Sequence, residues 1–157
     1  VKGSGEKLVY TPTDGVQFVP HVIEPSFGVE RALMAVLCDA YTEDEMNGET
    51  RTFLKLKPEL APVKVAVFPL MKNRPELVGK AREVYEELKE TIPQVVFDDH
   101  GNVGKRYRRQ DEIGTPWCVT IDFDTLEDNT ATLRDRDTGE QKRIALSALL
   151  GELEFLN

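Results

Sequence analysis

The chain has 157 residues, 40% of them hydrophobic and 31% charged, a composition that supports a packed core and excludes a disordered or fibrous protein. With 20 Lys and Arg against 28 Asp and Glu, the formal charge is -8, so any contact with nucleic acid has to come from a local basic patch. Cys38 and Cys118 lie far apart and outside any disulfide or zinc spacing, so both read as small buried residues of a reducing compartment, and no membrane-spanning run or signal peptide is visible.

In chain order, Lys7–Tyr10 and Val16–Val19 flank the turn-rich Thr11-Pro-Thr-Asp-Gly15 and predict a hairpin. The chain opens on Val1 inside that hairpin, which suggests a fragment of a longer protein. Phe18, Val19, Val22 and Ile23 then predict a strand, Pro25 and Gly28 break it, and Val29, Leu33, Val36, Leu37 and Ala40 recur at helical spacing to about Tyr41. A strand-turn-helix corner aims backbone N–H groups and the helix dipole at its bend, which suits a phosphate. Arg31 sits in the first helical turn, off the apolar stripe, while Glu24 before the bend offers a carboxylate to an ammonium group. The plainer alternative is an ordinary Glu24–Arg31 ion pair at a helix start. Met34 and Cys38 share Arg31's side, so the helix is expected to be sandwiched between two layers. The acidic run Thr42–Gly48 reads as a solvated loop, and Arg51–Lys57 as one more extended segment.

The string Glu24-Pro-Ser-Phe-Gly-Val-Glu-Arg31 resembles the third signature motif of class II aminoacyl-tRNA synthetases, in the form used by glycyl-tRNA synthetases of the archaeal and eukaryotic type. The resemblance implies that Arg31 is the catalytic cation on ATP phosphate and that Gly28, Val29, Glu30 and Arg31 line the ATP site. It also implies that Glu24, Ser26 and Gly28 hold the glycine. The chemistry suits these roles, because a guanidinium fork matches phosphate and a close carboxylate partners an ammonium. Mg2+ is expected with ATP in the parent enzyme, with no metal ligands in this fragment.

Lys57-Pro-Glu-Leu-Ala-Pro-Val63 carries two prolines and reads as a stiff linker, dividing the chain into 1–57 and 58–157. Val63–Pro69 predicts the first strand of a new domain. A helix follows with Asn73 as N-cap and Leu77, Val78, Ala81, Val84, Tyr85 and Leu88 on its apolar face, then a strand at Gln94–Phe97. Strand-helix-strand at this length predicts a parallel βαβ unit. Asp98 and Asp99 read as turn and cap residues, and His100 has no clustered partners for a metal.

Gly104-Lys-Arg-Tyr-Arg-Arg-Gln-Asp-Glu-Ile-Gly114 is the densest basic stretch, with Tyr107 among the cations, a pattern that holds single-stranded RNA by phosphate pairing and stacking. A solvated helix face neutralising Asp111 and Glu112 is the alternative on composition. Together with Thr115-Pro116 the segment is also similar to the anticodon-binding domains of class IIa synthetases, which makes Arg106 and Tyr107 candidate tRNA contacts. Pro116–Asp122 predicts a central strand, apolar on both faces. Thr130–Arg134 and Gln141–Ile144 predict a hairpin. Arg134 and Arg136 are its exposed candidates for anticodon contacts by the resemblance, or else members of a surface salt-bridge cluster with Asp135 and Asp137. Ser147–Phe155 predicts a closing helix with Leu149, Leu150 and Leu153 inward.

The resemblance therefore implies an α/β anticodon-binding domain with a mixed, mostly parallel sheet flanked by helices. Before it would stand the antiparallel-sheet and helix remnant of a class II catalytic domain. It implies a cytoplasmic, homodimeric parent that activates glycine with ATP and transfers it to the glycine tRNA. The first two signature motifs are absent here, so this chain is expected to be inactive without the upstream catalytic region. A non-catalytic RNA-binding or accessory protein reusing the second domain is the alternative. A prolyl-type synthetase would share that domain but not the Glu-Pro-Ser-Phe-Gly corner.

Overall fold

A computed structural model describes residues 3, 5–6, 8–46 and 48–153. Lys7 of the predicted hairpin, Asn47 of the acidic run and Phe155 of the closing helix lie outside the described residues. The chain forms two compact units, Val1–Ala32 and Leu33–Asn157.

In the first unit the predicted hairpin is one residue pair long. Tyr10 and Phe18 exchange backbone bonds of 3.0 and 3.2 Å, their rings meet edge to face at 5.7 Å, and the Gly15 N–H closes the turn on the Pro12 carbonyl at 2.9 Å. The expected strand over Phe18–Ile23 does not form beyond that bridge, and Ile23 is 94% exposed. A β-prone run becomes a strand only where a neighbour completes its hydrogen-bond ladder, and no described residue does so here.

Helix α1 (Val29–Ala40) ends within a residue of its predicted end, but only Ala40 is buried. Leu33, Met34, Val36 and Leu37 are exposed, as is Cys38, so neither the sandwiched helix nor the buried thiol is found at this position.

In the second unit α1 leads into an antiparallel hairpin, β1 (Tyr41–Met46) and β2 (Glu49–Leu54). The acidic run is thus a strand and not a solvated loop. Its residues alternate in exposure, and Asp44 stands directly across from Arg51, whose guanidinium binds its carboxylate at 2.8 and 2.5 Å. One inward acid is paired across the strands while Glu43 and Glu45 face water. The proline stretch folds into a 3-10 turn at Pro58–Leu60. Leu56 and Ala61 bury against Ala40 and Leu54, so it is held to the body of the unit.

The remaining elements are β3 (Val65–Pro69), α2 (Pro75–Thr91), β4 (Val95–Phe97), α3 (Val103–Ile113), β5 (Trp117–Ile121), α4 (Phe123–Asp128), β6 (Thr130–Asp135) and β7 (Gln141–Ala145). A second 3-10 turn at Leu146–Ala148 leads into α5 (Leu149–Leu153). The sheet order is β4-β3-β5-β6-β7, with β4, β3 and β5 parallel and β6 and β7 antiparallel. Period-two alternation sends Val65, Val67, Val119 and Leu133 to one face under α2 and α5. Ala66, Phe68 and Cys118 go to the other, under α3. Covered on both faces, β3 and β5 are the central strands, and each fully buried Val or Leu contributes about 1.5–3 kcal/mol.

Helix α2 buries Leu77, Ala81, Val84 and Leu88 at helical spacing. Its cap is Arg74 and not Asn73, with Pro75 at the first helical position, where the missing N–H costs nothing. Helix α3 starts on Asn102, whose side chain accepts from the Lys105 N–H at 2.9 Å, and stops at Gly114 with φ 83°. Among the described residues no helix is long and apolar enough to cross a membrane.

Candidate nucleic-acid interface

The basic segment is α3, and the helical period sorts its cations. Arg106 turns inward and is only 1% exposed. Its guanidinium donates to the carbonyls of Gly101 at 2.8 Å, Asp99 at 3.1 Å, His100 at 3.3 Å and Pro69, tying the β4–α3 loop to the end of β3. Burial pulls its pKa down, while Asp98 and Asp99 pull it back up. Each of its three guanidinium nitrogens donates to a carbonyl, so the expected RNA-contacting Arg106 is a loop anchor in this structure.

Tyr107 is half-buried, with its hydroxyl 2.5 Å from the Thr120 Oγ1 and its ring edge-on to Phe68 at 5.3 Å. Burial pushes its phenol above the usual value. Arg109 binds Asp98 at 2.6 Å and the His100 carbonyl at 2.8 Å.

Arg134 and Arg136 are not exposed; they are 5% and 2% accessible. Alternation along β6 puts Arg134 on the α3 face, where it grips Asp111 with two bonds of 2.8 and 2.9 Å and lies 4.8 Å from the Tyr107 ring centroid. The surface cluster with Asp135 and Asp137 is therefore not Arg134's environment. Arg136 does bind Asp137 at 2.7 Å, but it also donates to the carbonyls of Gly114 at 2.7 Å and Leu56 at 2.8 Å. Cations near a helix end satisfy its unpaired carbonyls, and that draws Arg136 under the C-terminus of α3. Arg51 completes the network, 3.4 Å from Asp111 and 2.6 Å from the Arg136 carbonyl. No buried side-chain nitrogen or oxygen among the described residues lacks a partner.

Above this network, α3, the tip of the β1–β2 hairpin and the β6–β7 turn enclose a cavity of about 410 Å³. Arg51, Tyr107, Asp111 and Arg134 form its buried wall; Lys105, Arg108, Glu49, Thr50 and Gln141 are exposed along it. Among the described residues the Lys105 ammonium and the Glu49 carboxylate have no hydrogen-bond or ion-pair partner, and Arg108 stands 3.9 Å from Glu112. The arrangement offers the free Lys105 ammonium and the exposed Arg108 to phosphates, an aromatic ring beside a guanidinium, and neutral hydrogen-bonding groups.

Of the residues predicted for this role, Tyr107 and Arg134 line the cavity, while Arg106 and Arg136 do not. Lys105 and Arg108 lay in the recognised basic segment, and their spacing of three on one helix face was the signal for the pair. Glu49, Thr50 and Gln141 arrive from distant strands and carried no local signal.

The corner residues Glu24, Ser26, Gly28, Val29, Glu30 and Arg31 are all exposed. No ion pair joins Glu24 to Arg31. The Arg31 stem lies beside Gly28, 3.8 Å from where a Cβ would stand, so these residues form an open bend. Among the described residues no group of His, Cys, Asp and Glu is arranged to hold a metal ion.

Residues 64–156 match the family model described as anticodon binding domain, so the chain belongs to the anticodon-binding-domain family. Over nearly its whole length, the corner at 24–31 included, it is similar to glycine–tRNA ligases. It is 52% identical to that of Rhodopirellula baltica over 98% of this chain and 29% of the relative. It is 52% identical to that of Caldanaerobacter subterraneus over 96% of this chain and 32% of the relative. With the Thermus thermophilus ligase the identity is 48%, over 96% of this chain and 32% of the relative. The chain spans about a third of the length of these relatives.

Proposed function

We propose that the chain is the anticodon-reading part of a glycine–tRNA ligase and that the cavity beside α3 receives the anticodon loop of the glycine tRNA. The observation that carries this reading is the Lys105 ammonium, unpaired among the described residues, with the exposed Arg108 one turn on, beside the Tyr107–Arg134 stack in a chain whose net charge is -8. An acidic protein that exposes two cations at one cavity, one of them unpaired, has placed its attraction for phosphate there.

In the whole enzyme, glycine is activated with ATP and Mg2+ and transferred to the tRNA. Arg31 stabilises charge on the phosphates as pyrophosphate leaves, Gly28, Val29 and Glu30 line the nucleotide, and Glu24 with Ser26 holds the glycine ammonium. Gly28 keeps the bend clear of a side chain. The exposure of the corner and of the apolar side chains of α1 supports an upstream catalytic region closing over them.

The test is binding of a glycine-tRNA anticodon stem-loop across a salt series. Lys105→Ala and Arg108→Ala should each weaken binding and lower the slope of log K against log salt by about one. Parental affinity and slope in both variants would remove the cavity from consideration.

A further inference from the structure

The Glu49 carboxylate has no place in phosphate binding. The alternation of β2 sends Arg51 and Phe53 inward, and Glu49 shares their side of the strand, facing α3 across the cavity. The other acid lining that cavity, Asp111, is buried and held by Arg134 and Arg51, whereas Glu49 has no partner among the described residues. A free carboxylate beside a polyanion weakens binding unless the ligand brings a donor to it, and ionised Glu only accepts hydrogen bonds. The neutral donors that an unpaired RNA base offers at its Watson–Crick edge include the exocyclic amine of cytosine, a group that Glu pairs with and that uracil replaces by a carbonyl.

Resting on the anticodon reading above, we propose that Glu49 is a specificity-determining residue: it accepts a hydrogen bond from the cytosine amine of a base seated in the cavity and rejects uracil. Glycine codons begin with two guanines, so the anticodon that reads them presents two adjacent cytosines. The carboxylate lowers affinity for RNA in general and restores it only for a loop that carries the amine in the right place.

The test uses the 157-residue chain and two anticodon stem-loops of the same length, one with the two cytosines and one with uridines in their place. The parent should prefer the cytosine loop by about tenfold or more. Glu49→Gln, whose amide can both donate and accept, should bind both loops and lose most of that preference. Glu45→Gln removes the same charge from the exposed side of β1 and should leave the preference unchanged. A Glu49→Gln variant that keeps the parental preference overturns the assignment and leaves the anticodon reading intact, as does a parent that binds both loops equally. A parent that binds neither loop overturns both.

Discussion

At single positions, the decisive quantity is what surrounds a residue and not its type. Gly114 stops α3 with a φ of 83°, but that is only half of its role. A Cβ there would stand 2.8 Å from the Leu56 Cδ1 and 3.0 Å from the Leu54 carbonyl, so the end of β2 approaches α3 through the space a side chain would fill. Gly114→Ala combines a left-handed backbone with a backbone clash and should cost more than about 1 kcal/mol in urea unfolding. Parental stability in that variant would contradict the close approach. The second role was illegible in the sequence because Leu54 and Leu56 are 60 and 58 residues away along the chain. The same holds for Arg106, Arg134 and Arg136. Sequence patterns place arginine on the surface, yet here the carbonyls ending β3, α3 and β2, together with Asp111, supply enough acceptors to bury all three.

Elements were legible where periodicity carried them. The βαβ unit, the β6–β7 hairpin, the central β5 and the inward leucines of α5 follow from spacing alone, because their apolar sets match periods of 2 or 3.6. The Thr42–Gly48 run defied that reasoning since its strand is stabilised by charge. Asp44, Arg51, Asp111 and Arg134 alternate in sign from the hairpin through α3 to β6. Removing one member leaves a buried charge uncompensated, so Arg134→Ala should destabilise the fold by about 3 kcal/mol, since Asp111 would keep only its 3.4 Å contact with Arg51. Chemical denaturation checks this, and a loss below about 1 kcal/mol would show that the ladder is not what holds the hairpin. Any loss of RNA binding in that variant has to be read after its stability, a constraint that the expectation of an exposed Arg134 did not contain.

For the molecule as a whole, Asp44, Asp98, Asp122 and Asp128 titrate below the ordinary value, and Asp98 and Asp122 are the more buried of them. Burial pushes Asp98 upward, but Arg109 and the His100 N–H outweigh it, and Asp98 titrates below its ordinary value. Burial likewise raises Asp122, and Arg143 with the Thr125 N–H and hydroxyl brings it below. A folded pKa below the unfolded one gives stability that is present above the unfolded value, near 4, and is lost as pH falls through the folded value. The melting temperature should therefore drop below about pH 4, and Asp98→Asn should flatten that drop; an unchanged acid limb in the variant would refute the assignment. The family was readable over nearly the whole chain, and the α/β architecture from β3 onward, because the Glu24–Arg31 corner and the Gly104–Gly114 segment are contiguous in sequence. The cavity was not, since α3, β2 and β7 that line it lie far apart in sequence. That sheet ends on one side in β4, three residues long, and on the other in β7, where Lys142 and Arg143 stand exposed beside Glu152 and Asp122. A second copy approaching the β7 edge would meet charged, ion-paired side chains, and the three-residue β4 edge offers little ladder to template. Both ends of the sheet thus disfavour intermolecular strand pairing, which works against polymerisation of a chain with a β-rich core.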